Sequence, residues 1–163
     1  MWPRAAFRTL LCAFLASALV ALEAAPSDAA VRISRDYGGQ IGPYLYAFAV
    51  LRSIGENVVI DGPCLSACTL VLGLIPKDKI CITSRARLGF HAAWERDRQG
   101  RKKISKEGTA VVMKIYPPEI RSWIQKNGGL NDKLIFLQGP ELATMYQACK
   151  DDAPPATPLR IKR

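Results

Sequence analysis

The sequence predicts a single α/β domain with a parallel sheet and packed helices, and three observations carry that prediction. Short apolar runs at 31–34, 58–61, 80–83 and 88–92 have strand length, and the first alternates in polarity. Between the first two lies a stretch, 41–54, whose apolar residues fall at helical spacing. Strand, helix and strand in that order form a right-handed βαβ unit, which sets its two strands parallel.

Taken in order, the chain opens with a targeting pattern. Arg4 and Arg8 precede an apolar run over 10–22, and small residues follow. Residues 1–29 therefore read as a signal peptide, with Ser27 and Ala29 at the cleavage positions; an uncleaved anchor is the alternative. Cleavage there leaves about 134 residues, enough for one domain with a real core. The domain is expected over 30–149. A loose tail is expected over 150–163, where proline, alanine and charge leave little to bury.

The strand at 31–34 ends in a glycine turn, Asp36-Tyr37-Gly38-Gly39-Gln40. The helix over 41–54 closes at Gly55, a natural C-terminal cap. After the strand at 58–61 comes Gly62-Pro63-Cys64-Leu65-Ser66-Ala67-Cys68, then an apolar run that reads as a helix. The strand at 88–92 carries His91, the single histidine of the chain. Residues 94–106 are polar and basic and read as an exposed loop. Ser105 caps a helix through Ile115, Pro118 opens another, and Asn127-Gly128-Gly129 ends it. A short strand at 133–137 and a helix at 142–148 lead to Cys149.

The net charge of +9 suits an anionic surface, but the basic stretch has no interleaved aromatics for stacking on bases, so no nucleic-acid partner is expected. Four cysteines lie beyond the leader: Cys64, Cys68, Cys81 and Cys149. An even number in an exported chain reads as disulfides. The spacing of Cys64 and Cys68 is ligand-like, yet one histidine and no second tight pair argue against zinc. The preferred cross-link joins Cys64 or Cys68 to Cys81 or Cys149; Cys64–Cys68 stays open but awkward, because two cysteines four apart on a helix align poorly. One disulfide should brace the Ser66 turn, and Cys149 should tie the chain end to the body.

Ser66 falls just past a strand, at a helix mouth with small neighbours. Unpaired N–H groups at a helix start can face an oxyanion, so the place suits a nucleophile; a helix cap is the commoner use of a serine before an apolar run, and the stretch alone favours it. His91 is expected at a strand end, where α/β folds place chemistry.

Together these pieces resemble the Clp protease proteolytic subunit within the Clp/crotonase-like superfamily, and more closely its exported bacterial branch. Gly38-Gly39, Gly62-Pro63-Cys64-Leu65-Ser66-Ala67-Cys68 and Ala86-Arg87-Leu88-Gly89-Phe90-His91 carry the resemblance. Phe136-Leu137-Gln138-Gly139-Pro140-Glu141-Leu142 adds a weaker segment. The resemblance implies a βαβ spiral core, with Ser66 as nucleophile and His91 as general base. It also implies an oxyanion hole formed by the N–H groups of Gly39 and Ala67. The family's aspartate position falls on Leu134, so Asp132 is the first choice for the orienting acid and Glu141 the second. Lys77 and Lys79 would serve as bases only in a serine/lysine variant.

The expected activity is an ATP-independent serine hydrolase, a peptidase or esterase, in the periplasm or secreted. It would act on a peptide or small ester, with no cofactor, metal or ATPase partner; a homo-oligomer stays open. The alternative is a non-catalytic binding or structural module on the same fold.

Overall fold

In the computed structural model, residues 30–150 are described; the expected leader, and the expected tail beyond Lys150, lie outside them. Four parallel strands form the main sheet in the order β1-β2-β4-β9 (β1 Ala30–Ile33, β2 Asn57–Ile60, β4 Ile80–Ile82, β9 Gln147–Ala148). Its register sets Ile33 beside Ile60 and Ile60 beside Ile82. The predicted βαβ unit is present: β1, α1 (Ile41–Ser53) and β2, with Gly55 at φ 70° just past the helix. The chain is thus a mixed α/β fold with a parallel core sheet and several packed helices.

A second, three-stranded sheet has the order β3-β5-β8 (β3 Pro63–Leu65, β5 Arg87–Phe90, β8 Ile135–Gln138). Strand β3 falls between the expected strand at 58–61 and the expected helix, where no element was expected. The chain instead bends at Gly62 and resumes pairing: Asp36 N–H donates to Pro63 O, and Leu65 N–H donates to Asp36 O. Only glycine fits the bend, since a Cβ on Gly62 would sit 2.1 Å from Ser34 O. The next strand bends in step, with Thr83 N–H bonded to Ile60 O on one side and Arg87 N–H to Gly62 O on the other.

The core lies between the sheets and the helices, the short α2 (Val71–Leu74) among them. Ile60, Leu70, Ile80, Leu88, Phe90, Ile120, Ile124 and Leu137 are fully buried, each such side chain worth roughly 1.5–3 kcal/mol of burial. Phe90 meets Tyr116 edge-on at 5.4 Å and Trp123 at 5.7 Å, which ties α3 (Lys106–Ile115) and α4 (Pro118–Lys126) to β5. Ser105 caps α3 as expected, its hydroxyl accepting from Gly108 N–H.

Three expectations are corrected. Residues 94–106 are not an open loop: β6 (Trp94–Arg96) and β7 (Lys102–Ile104) form an antiparallel hairpin. Cross-strand charge pairs and rings supply pairing energy that a charge-rich composition hides. The last helix, α5, spans Gly139–Ala143 rather than 142–148. Residues 147–148 lie extended along β4 because Cys149 N–H bonds to Ile82 O and its sulfur bonds to Cys81. The disulfides are Cys64–Cys68 and Cys81–Cys149, not a link between the two pairs. Cys64 and Cys68 do not share a helix: one lies in β3 and the other in a 3-10 turn (Ser66–Leu70), so their Cα atoms come within 5.3 Å. Cys149 does tie the chain end to the body, and the short disulfide does brace the Ser66 turn.

Candidate functional site

Strand β3 runs parallel to β5 with Leu65 opposite Gly89. Ser66 follows the last residue of β3, and His91 follows the last residue of β5. Both therefore stand at the same end of two adjacent parallel strands, the end where such sheets place ligands.

Ser66 has φ 56°, the single positive value outside glycine among the described residues. A side chain in that region costs on the order of 1–3 kcal/mol and persists only when its surroundings over-determine it. The surroundings do so here. The Cys64–Cys68 disulfide spans the residue, and both cysteines are wholly buried. Thr69 Oγ1 donates to Ser66 O at 2.6 Å. Its one proton is thereby used, so the 2.6 Å contact with Tyr116 is a bond from the phenol to Thr69. Burial pushes the Tyr116 hydroxyl up to about 12, despite an opposing effect of its bond to Thr69, and keeps it a donor. Ser66 does not cap its turn with its hydroxyl; the capping position is Leu65, with no side-chain cap bond. The helix-cap reading of Ser66 is thus set aside.

The glycine turn lies directly against this serine. Gly38 has φ 80°, and a Cβ there would meet Leu65 O at 2.5 Å, Ser66 Cβ at 2.6 Å and Ala67 N at 2.9 Å. Only a bare backbone can pass so close. Asp36 holds the turn: its Oδ1 accepts from Gly38 N–H at 2.8 Å and from the Tyr44 hydroxyl. Burial, then the Asp36 carboxylate, raises the Tyr44 hydroxyl to about 12, so Tyr44 remains a donor. Gly39 is exposed beside the turn, and Ala67, buried, begins the segment beyond Ser66. The sequence reading named Gly39 but missed the roles of Asp36, Gly38 and Tyr44; the Asp-x-Gly pattern, an aspartate bonding the N–H two residues on, was the available signal.

His91 is half-buried, and its Nδ1 lies 2.6 Å from Ala92 O. A carbonyl can only accept, so Nδ1 carries a proton, and in the neutral ring Nε2 is left as the acceptor. Among the described residues no carboxylate bonds to His91. Asp132 and Glu141 are both exposed, without a bond to the ring. Leu134 packs beside β5, within 3.1 Å of where a Gly89 Cβ would stand. Ala92 N–H donates to Asn131 O, which anchors the backbone beside the histidine. Ser66 and His91 are not hydrogen-bonded to each other in this conformation. Lys77 is ion-paired with Glu119 at 2.9 Å.

A groove of about 490 Å³ opens next to the Asp36–Tyr44 pair, lined by β1 and by Pro43, Ala47, Phe48 and Leu51 of α1. The disulfides leave Cys64, Cys68, Cys81 and Cys149 without free thiols, so none of them is a thiolate ligand, and they fit an oxidising, non-cytoplasmic setting. Among the described residues no helix is long and apolar enough to cross a membrane. No protein-family model matches the chain, and no curated protein matches it in sequence.

Proposed function

We propose that the protein is an ATP-independent serine hydrolase of the Clp/crotonase-like type, acting outside the cytoplasm on a peptide or small ester. The observation that carries this reading is Ser66: a non-glycine residue at φ 56°, braced by a disulfide, beneath a glycine turn, with a hydroxyl that caps nothing. A strained serine between a strand and a helical turn is how a nucleophile is presented to substrate.

In this reading Ser66 Oγ attacks the substrate carbonyl while His91 Nε2 takes its proton. The N–H groups of Gly39 and Ala67 stabilise the oxyanion. His91 returns the proton to the leaving group, an acyl-serine forms, and water releases the acid by the same steps. The Ala92 carbonyl holds the imidazole in the tautomer that an aspartate would otherwise select. Orientation is thereby kept, but an anionic partner for the imidazolium is not, so turnover is expected to be modest. Substrate approach closes the Ser66–His91 gap, as such bonds often tighten only in the loaded enzyme.

A fluorophosphonate probe on the oxidised protein tests this. Labelling is expected for the wild type, none for Ser66→Ala, and a loss of at least about 100-fold for His91→Ala. Equal labelling of wild type and Ser66→Ala, or none of either, would overturn the proposal.

A further inference from the structure

The hairpin after His91 has two unlike faces. On one, Glu95 and Lys103 stand opposite each other and form an ion pair at 2.9 Å. That pairing holds the Glu95 carboxyl below its ordinary range and raises Lys103, with Glu107 adding to the effect on Lys103. On the other face Trp94 stands opposite Ile104, and Arg96 opposite Lys102. Both cations lean toward the indole, with Lys102 Nζ at 5.0 Å and the Arg96 guanidinium at 5.8 Å from its centroid. Trp94 is 44% and Ile104 47% exposed. Among the described residues neither Arg96 nor Lys102 has a carboxylate partner. The tip is held in shape by Asp97, which accepts from the N–H groups of Gln99 and Arg101 and pairs with the Arg101 side chain. Arg98 adds a further charge at that tip.

One face is therefore neutralised, and the other pairs an indole and an isoleucine at the base with uncompensated cations toward the tip. We infer that this second face docks on an anionic phospholipid bilayer. Indole and isoleucine fit the level just below the headgroups, and Arg96, Lys102 and Arg98 match the phosphates. A single-stranded nucleic acid fits less well. It needs successive aromatic platforms, and the hairpin has one ring, already faced by two cations. Near such a surface each cation is worth about fivefold in affinity at low salt.

The test uses the oxidised full-length mature chain with vesicles of phosphatidylcholine alone or containing one quarter phosphatidylglycerol. Co-sedimentation and tryptophan emission are read. Binding is expected to the anionic vesicles only, with a blue shift, and it should weaken as salt rises. Trp94→Ala should lose binding by about tenfold or more. Lys102→Gln should lose about fivefold. Lys103→Gln, which removes the same charge from the other face, should lose clearly less. Far-UV spectra and intact disulfides report that each variant is folded. Equal losses for Lys102→Gln and Lys103→Gln would overturn the inference. So would equal binding to uncharged vesicles, or binding to a single-stranded oligonucleotide but not to vesicles.

Discussion

The two disulfides join cysteines at very different reach, 4 residues apart in one case and 68 in the other. Closing a longer loop removes more freedom from the unfolded chain, about 4 kcal/mol for the long link against about 2 for the short one in the chain-entropy account. Their surroundings differ as well. Cys81–Cys149 clips a two-residue strand to the sheet edge, and neither of its cysteines flanks a proposed site residue. Cys64–Cys68 encloses the residue with the least comfortable backbone in the described structure. The long link is built to stabilise, and the short one to shape.

Cys81→Ala/Cys149→Ala should lower unfolding free energy by about 4 kcal/mol in urea titration, with probe labelling per folded molecule unchanged. A matching loss of labelling would show that the two braces are not separable. Next comes Gly38→Ala, which places a Cβ where Leu65 O and Ser66 Cβ already sit. It should destabilise by about 2–4 kcal/mol and abolish labelling together, because turn and serine share that space. Cys64→Ala/Cys68→Ala should cost about 2 kcal/mol of stability. Its labelling should fall by about 100-fold, the penalty typical of a nucleophile displaced by an ångström. If labelling survives, Thr69 and Gly38 suffice to hold Ser66.

Asp61 stands beside the Gly62 bend between the two sheets, its N–H bonded to Ile33 O. Burial alone would raise Asp61, but hydrogen bonds from Thr83, Arg32 and Arg85 outweigh it and hold the carboxyl below its ordinary range. The folded state thus favours the carboxylate. The stability it contributes is present above the ordinary aspartate range, near 3.9, and is lost as pH falls through the folded value. Asp61→Asn should flatten that acid limb in thermal melts at graded pH without altering either disulfide. The smallest expected effect is none: Asp132→Ala and Glu141→Ala should leave labelling within about twofold, since neither carboxylate bonds to His91. A loss of about 1,000-fold or more in either would restore an acid to the site.

Much of the frame was legible because local chemistry and global packing agree there. Gly55 stops α1, Ser105 caps α3 and Pro118 opens α4, each a signal that acts over a few residues. The position of His91 at a strand end followed from the apolar run before it, whereas Ser66 stands at the end of β3 and not of the strand the sequence announced. What escaped depends on partners far along the chain. Strand β3 exists because Asp36 pairs with Cys64 across the bend, and β9 because Cys81 holds Cys149 beside β4. The hairpin hid its period of two under charge. The neighbour of His91 is a main-chain carbonyl, which no pattern of side chains announces.

The late arrival of β9 has a consequence for how the chain matures. In a polypeptide made from its amino end, Cys64, Cys68 and Cys81 all exist before Cys149 does. Cys64 and Cys68 are neighbours and can oxidise at once, whereas Cys81 waits as an odd thiol until Cys149 is delivered. During that interval the edge of β4 that β9 will cover is bare, and Cys81 can be captured by either member of the first pair. Thiol exchange must then undo that capture before Cys149 can take its place.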